Sequence, residues 1–122
     1  MPKAVPMLHV SDVDATADWY QSIGFTIENK GSDGQDIIFA LLSFGESEVM
    51  LSAGGSVSQA PRRDADLYLY VDDVGTIFPH VSRQAELVEG LHDTFYGMRE
   101  FIVRDINGFW LTFGQRLPKR AN

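Results

Sequence analysis

The stretch VPMLHVSDV at residues 5–13 returns in altered form as DLYLYVDDV at 66–74. Stacked without gaps, Leu69 falls on Leu8, Val71 on Val10, Asp73 on Asp12 and Val74 on Val13. Each copy reads as a strand whose side chains alternate between two faces, ending at an aspartate suited to cap a helix. After the first copy, Val13, Ala17, Tyr20 and Ile23 recur at helical spacing up to Gly24, which predicts a helix over 13–23. After the second, a helix is expected over about 74–85, with Pro79 either kinking it or sitting in its first turn. Further strands are expected over Phe25 to Asn29, Asp36 to Phe44 and Glu48 to Ser52, with turns at 30–34 and 45–47. In the second half, Phe101 to Arg104 and Phe109 to Gly114 flank Asp105-Ile106-Asn107-Gly108, a strong hairpin signal. Pro6 lacks an amide donor, which puts the first strand at an edge or leaves it one unpaired side. Between the halves, AGGSVSQAPRR (53–63) has no periodicity and reads as a linker or loop. A repeat of about 60 residues, each half too small to bury its own apolar face, implies that the halves pack together.

The 122 residues therefore read as one domain spanning 1–122: unit one over about 4–52, linker 53–63, unit two over about 64–114. The chain has no cysteine, which excludes disulfides, thiolate metal sites and cysteine nucleophiles. Ten Lys and Arg stand against 17 Asp and Glu, a net charge of −7. The basic clusters Arg62-Arg63 and Lys119-Arg120 read as solvated loop and tail, so no phosphate track is expected and nucleic acid is not a partner. An acidic surface favours cationic over anionic ligands. No apolar run is long enough for a membrane span and the N-terminus has no signal-peptide core, so the expectation is a cytoplasmic protein without a membrane partner.

Three stretches, VPMLHVSDVDATADWYQSIGF (5–25), LYLYVDDV (67–74) and YGMREFIVRDINGFWLTF (96–113), together with the hairpin at 37–52, resemble the vicinal oxygen chelate superfamily of glyoxalases, bleomycin-resistance proteins and dioxygenases. The R-E-F strand followed by a D-x-N-G turn is the most specific element. The closest likeness is to the bleomycin-resistance-like members. The resemblance implies an α+β fold: two tandem βαβββ units forming a curved mixed sheet around a cavity, commonly in a homodimer.

It also implies where a divalent metal would sit in the superfamily's enzymes, on the first and last strands of each unit. Here those positions carry Val5, Met50, Asp66 and Thr112. Only Asp66 suits a hard cation; Met50 prefers soft metals and threonine is a poor ligand. The expectation is thus no metal and no other cofactor. The alternative is a displaced divalent-metal site built from His9, Glu48 and Asp66, which would support a lyase, isomerase or dioxygenase.

Of the three histidines, His80 is expected on the surface of the second helix and His92 in a solvated loop with Asp93. His9 shares a strand face with Val5 and Met7; it reads either as a hydrogen-bonded cavity or interface residue, or as a ligand contact and candidate catalytic base. Tyr68 and Tyr70 share a strand face with Asp66. Tyr96, before Gly97, resembles the aromatic that bleomycin-resistance proteins stack on drug rings, although Met98 intervenes before Arg99-Glu100-Phe101. The candidate ligand-binding set is His9, Asp66, Tyr68, Tyr70, Tyr96 and Trp110, the alternative being ordinary core and dimer packing. Arg99 and Glu100 point to opposite faces; a buried Glu100 needs a partner, which Arg99 or Arg104 of a second copy would supply. These readings together point to metal-free binding and sequestration of an aromatic or cationic, antibiotic-like small molecule.

Overall fold

The computed structural model describes residues 2–118, so the Lys119-Arg120 tail lies outside the described residues. The chain forms two compact units, the first ending at Ser58 and the second beginning at Gln59. Each is a βαβββ unit with its own four-stranded mixed sheet, and the architecture is α+β.

Unit one contains β1 (Met7–His9), α1 (Val13–Ser22), β2 (Thr26–Asp33), β3 (Asp36–Phe44) and β4 (Ser47–Ser52), with strand order β1-β4-β3-β2. β1 runs parallel to β4 at the sheet edge, as Pro6 requires; the Pro6 carbonyl still accepts from the Met50 amide at 2.9 Å. The Asp12 side chain caps α1 by accepting from the Ala15 amide at 2.9 Å. Leu8, Ala40, Leu42, Val49 and Leu51 form the buried face of the sheet, and α1 covers it with Val13, Ala17 and Tyr20. Tyr20 meets Phe25 edge-to-face at 5.1 Å.

Unit two repeats the plan with β5 (Asp66–Tyr70), α2 (Val74–Gln84), β6 (Glu86–Asp93), β7 (Met98–Arg104) and β8 (Trp110–Arg116), in the order β5-β8-β7-β6. Asp73 caps α2, accepting from the Gly75 and Thr76 amides at 3.0 and 3.3 Å. The two aspartates aligned by the repeat thus perform the same task. Phe101 and Phe113 stack at 4.9 Å with an 8° interplanar angle, and Phe78 of α2 meets Phe101 edge-to-face. Leu69, Val74, Val81, Val103 and Leu111 complete this core. Pro79 lies inside α2, beyond its first turn, where it removes the amide donor that the Gly75 carbonyl would otherwise receive.

Three local expectations change. β2 runs on to Asp33, through residues expected to turn, because the reversal is made at Gly34 with φ +64°. Residues 86–93 form an edge strand: mostly exposed side chains and two register shifts against β7 erase the alternation that would mark it. His92 therefore sits on a strand rather than in a loop, exposed and opposite Glu100. His80 is exposed on α2 as expected.

The path out of unit one is tightly constrained. The Gly55 amide donates to the Val10 carbonyl at 3.1 Å, and a Cβ at Gly55 would lie 2.0 Å from the His9 carbonyl oxygen. Backbone cannot withdraw as a flexible side chain can. Gly55→Ala is expected to destabilise the protein by about 1–3 kcal/mol, measured by urea unfolding; an unchanged midpoint would show that this close approach is absent.

Candidate functional site

In each unit the helix covers one face of the sheet, and the residues of interest lie on the other. In unit two the register sets that open face in rows: Asp66, Trp110, Arg104 and Glu86; then Tyr68, Thr112, Ile102 and Glu89; then Tyr70, Gly114, Glu100 and His92. Phe101 and Val103 point to the helix side, which sends Glu100, Ile102 and Arg104 to the open face.

Glu100 is the chemical centre of this face. It is only 3% exposed, and an isolated carboxylate there would be strongly unfavourable. Its partners are two phenols. Tyr68 donates to Oε2 at 2.5 Å, and the Tyr96 hydroxyl lies 2.8 Å from both carboxylate oxygens. Tyr68 reaches Glu100 by lying across Gly114, where a Cβ would come within 2.1 Å of the tyrosine oxygen. Burial and then the hydrogen bond to Glu100 push the Tyr68 phenol well above its ordinary range. The hydrogen bond to Glu100 is the main cause of a raised pKa at Tyr96.

Around this triad the rings stay accessible. Tyr70 is 62% exposed and lies 4.9 Å from Tyr68, with Arg116 over its outer face at 5.2 Å. Tyr96 is 56% exposed and meets the fully exposed Phe95 edge-to-face at 5.1 Å. A groove of about 710 Å³ runs beside them, lined by residues including Phe95, Tyr96, Met98 and Arg116. Phenols hydrogen-bonded to a carboxylate are electron-rich, and rings of that kind attract cations and flat conjugated systems.

Asp66 and Trp110 form a second cluster. Arg62 pairs with the Asp66 carboxylate and lies 4.4 Å from the Trp110 ring centroid. The Trp110 indole donates to the Pro61 carbonyl at 3.0 Å. Arg63 covers Phe109 at 4.3 Å and donates to the Asn107 carbonyl at 3.1 Å. The Arg62-Arg63 pair lies in a loop as expected, with Arg62 57% exposed, and its guanidinium groups rest on rings of unit two. The two arginines expected to neutralise Glu100 from a second copy have other partners within this chain: Arg99 holds Asp93 at 2.7 Å, and Arg104 pairs with Glu86 and with the Pro61 carbonyl.

His9 belongs to unit one. It is exposed on the face of β1 opposite the core, in register with Ser52. Met7, Met50 and Leu41 form the neighbouring row. The structure therefore gathers Tyr68, Tyr70 and Tyr96 about Glu100, gathers Asp66 and Trp110 about Arg62, and puts His9 on the sheet of the other unit. Glu100, Arg62 and Arg116 are the additions that the sequence-based set lacked.

The superfamily's metal positions do not suit an ion here. Val5 has no donor, Met50 offers a thioether and Thr112 a nearly buried hydroxyl, while Asp66 already neutralises Arg62. In the displaced set, Glu48 is ion-paired with Lys3 and Asp66 with Arg62. Among the described residues, no three His, Asp or Glu side chains are grouped as an ion would require. Also among them, no helix is long and apolar enough to cross a membrane.

Residues 4–113 match the family model of the Glyoxalase/Bleomycin resistance protein/Dioxygenase superfamily. Solved structures share the fold. TioX from Micromonospora sp. ML1 is 25% identical, with 94% of this chain and 100% of that one aligned at a TM-score of 0.75. A bleomycin-binding protein solved in complex with bleomycin is 18% identical, covering 95% and 99% of the two chains at a TM-score of 0.74. The fosfomycin resistance protein FosX from Listeria monocytogenes is 12% identical, covering 94% and 93% at a TM-score of 0.76. No curated protein matches the chain.

The triad makes a pH-dependent prediction. Raised phenol pKa values mean that the fold favours the neutral hydroxyls, so their contribution is complete below the ordinary phenol value of 10.0 and is lost as pH rises through the folded-state values. Difference titrations of tyrosinate absorbance against Tyr68→Phe and Tyr96→Phe should show both ionising late. Glu100→Gln should bring both phenols back toward normal, because Glu100 raises each through a hydrogen bond and through its charge. Titrations unchanged by Glu100→Gln would contradict the arrangement.

Proposed function

The chain belongs to the glyoxalase/bleomycin resistance protein/dioxygenase superfamily, and on that premise we propose that it binds and sequesters a flat aromatic or cationic, antibiotic-like small molecule without using a metal. The observation that carries this reading is the open face of unit two, where exposed Tyr70 and Tyr96 lie about a buried carboxylate and the turn beside it adds exposed Phe95 against Tyr96. Exposed aromatic side chains of this size cost solvation, and three in one neighbourhood suit a stacking ligand. The carboxylate beneath them and the net charge of −7 favour a ligand of positive charge. The likeness to a protein solved with bleomycin adds support from outside the chain. In this reading Tyr68, Tyr70 and Tyr96 bind the ligand and Glu100 positions two of their hydroxyls. The acting species is a cytoplasmic homodimer in which both units form one ligand-binding domain.

The reading has a direct test with proflavine, a flat cationic ring system. Equilibrium fluorescence titration should give saturable binding that EDTA does not alter. Tyr96→Ala should weaken it about three- to tenfold, the worth of one aromatic contact, and lower the melting temperature because Glu100 loses a hydrogen-bond donor, whereas Tyr96→Phe keeps the ring and should keep the binding. Binding that requires added Ni²⁺, Zn²⁺, Mn²⁺ or Fe²⁺, or that ignores Tyr96, would overturn the proposal. Light scattering should give twice the 13.6 kDa chain mass.

A further inference from the structure

The loop that enters unit two carries an arginine into a position where a ligand cation would fit. Arg62 presents two nitrogens to the two oxygens of Asp66, with Nε 3.4 Å from Oδ1 and Nη2 on Oδ2. The same guanidinium carbon lies 4.4 Å from the centre of the Trp110 ring. Carboxylate and aromatic face are the two halves of a receptor for a planar cation, one gripping its hydrogen-bonding edge and the other its face. Asp66 and Trp110 are direct register partners across β5 and β8. The sheet therefore holds both backbones in place, and the Pro61 carbonyl holds the indole.

The occupant is held less firmly than its site. Arg62 is 57% exposed, and an exposed ion pair with a single ring contact is weak. The cations around it have other commitments: Arg63 lies on Phe109 and the Asn107 carbonyl, and Arg104 on Glu86. Withdrawal of Arg62 would leave Asp66 as a carboxylate beside a bare indole.

We propose that Asp66 and Trp110 form a receptor for a guanidinium or amidinium group, which the chain fills with its own Arg62 as a tethered competitor. The inference rests on the ligand-binding reading above for the biological role of that ligand and defines its cationic part. It also gives Asp66 a use at the position where the superfamily's enzymes carry a metal ligand. Arg62 then acts as a threshold: simple monocations fail to displace it, and a ligand that gains further ring contacts succeeds.

The probe is benzamidine, with the isosteric neutral benzamide as control, followed through the Trp110 indole signal in a two-dimensional NMR titration. Trp110→Phe assigns that signal. Removing the competitor in Arg62→Ala should raise benzamidine affinity about 5- to 30-fold over the intact chain and leave benzamide unchanged. Arg62→Lys, whose ammonium lacks the planar two-nitrogen edge, should give a gain smaller than that of Arg62→Ala, and Asp66→Asn placed in the Arg62→Ala chain should abolish the gain. Equal affinities in the intact chain and Arg62→Ala would overturn the proposal. So would a gain shared by benzamide, or one that survives Asp66→Asn. The proflavine titration separates the two readings: a chain that fails to bind proflavine yet gains benzamidine in Arg62→Ala retains this receptor and loses the sequestration function.

Discussion

A helix of ten or eleven residues is about 15–17 Å long and some 10 Å across, enough to cover the middle of one face of a four-stranded sheet and no more. Every later feature of this chain follows from that limit. Each unit spends its single helix on one face, and that face takes the large aliphatic and aromatic residues. The opposite face is left to side chains that tolerate water. In unit two these are tyrosines, a tryptophan, a glutamate and arginines, a set with far more chemistry than a core would admit.

On that face the dominant local problem is the charge of Glu100. Polar groups removed from water need partners, and ionised ones need strong partners. Two phenols supply them from different places in the fold, Tyr68 from β5 and Tyr96 from the turn before β7. The solution orders both rings at once. A guanidinium would have neutralised the carboxylate and cancelled its field; hydroxyls satisfy it and leave the negative charge in place. Arg62 and Arg116 lie against Trp110 and Tyr70 instead. Two rings of this face thus already receive cations from the chain itself, which is the physical basis of the positively charged ligand proposed above.

Much of the architecture was legible in the sequence because it rests on short-range rules. The aligned Asp12 and Asp73 mark two helix starts, the Val13-Ala17-Tyr20 spacing marks a buried stripe, and Asn107-Gly108 marks a turn. β6 was hidden because an exposed edge strand with two bulges carries no apolar alternation. The aromatic members of the site were visible through period two on β5 and through the family likeness at Tyr96. Their organiser was not, because the partner of Glu100 is set by tertiary geometry. Residue spacing gives Glu100 a face but cannot say that Tyr68, distant in sequence, will cross a glycine to meet it. Arg62 was hidden for a related reason: within a Gly/Ser-rich stretch a pair of arginines looks solvated, and only the fold brings Trp110 beneath one of them.

The bare backbone at Gly114 has a consequence for how such a surface could diversify. The floor beneath Tyr68 is defined by a missing methyl group, so the depth of the recess is set by an atom that is not there. A change at that single position would tilt the phenol, loosen its hold on the carboxylate and reshape the recess, while every exposed residue of the face stayed the same. On the proposed reading, selectivity could therefore drift through the scaffold, out of sight of any comparison restricted to the exposed side chains.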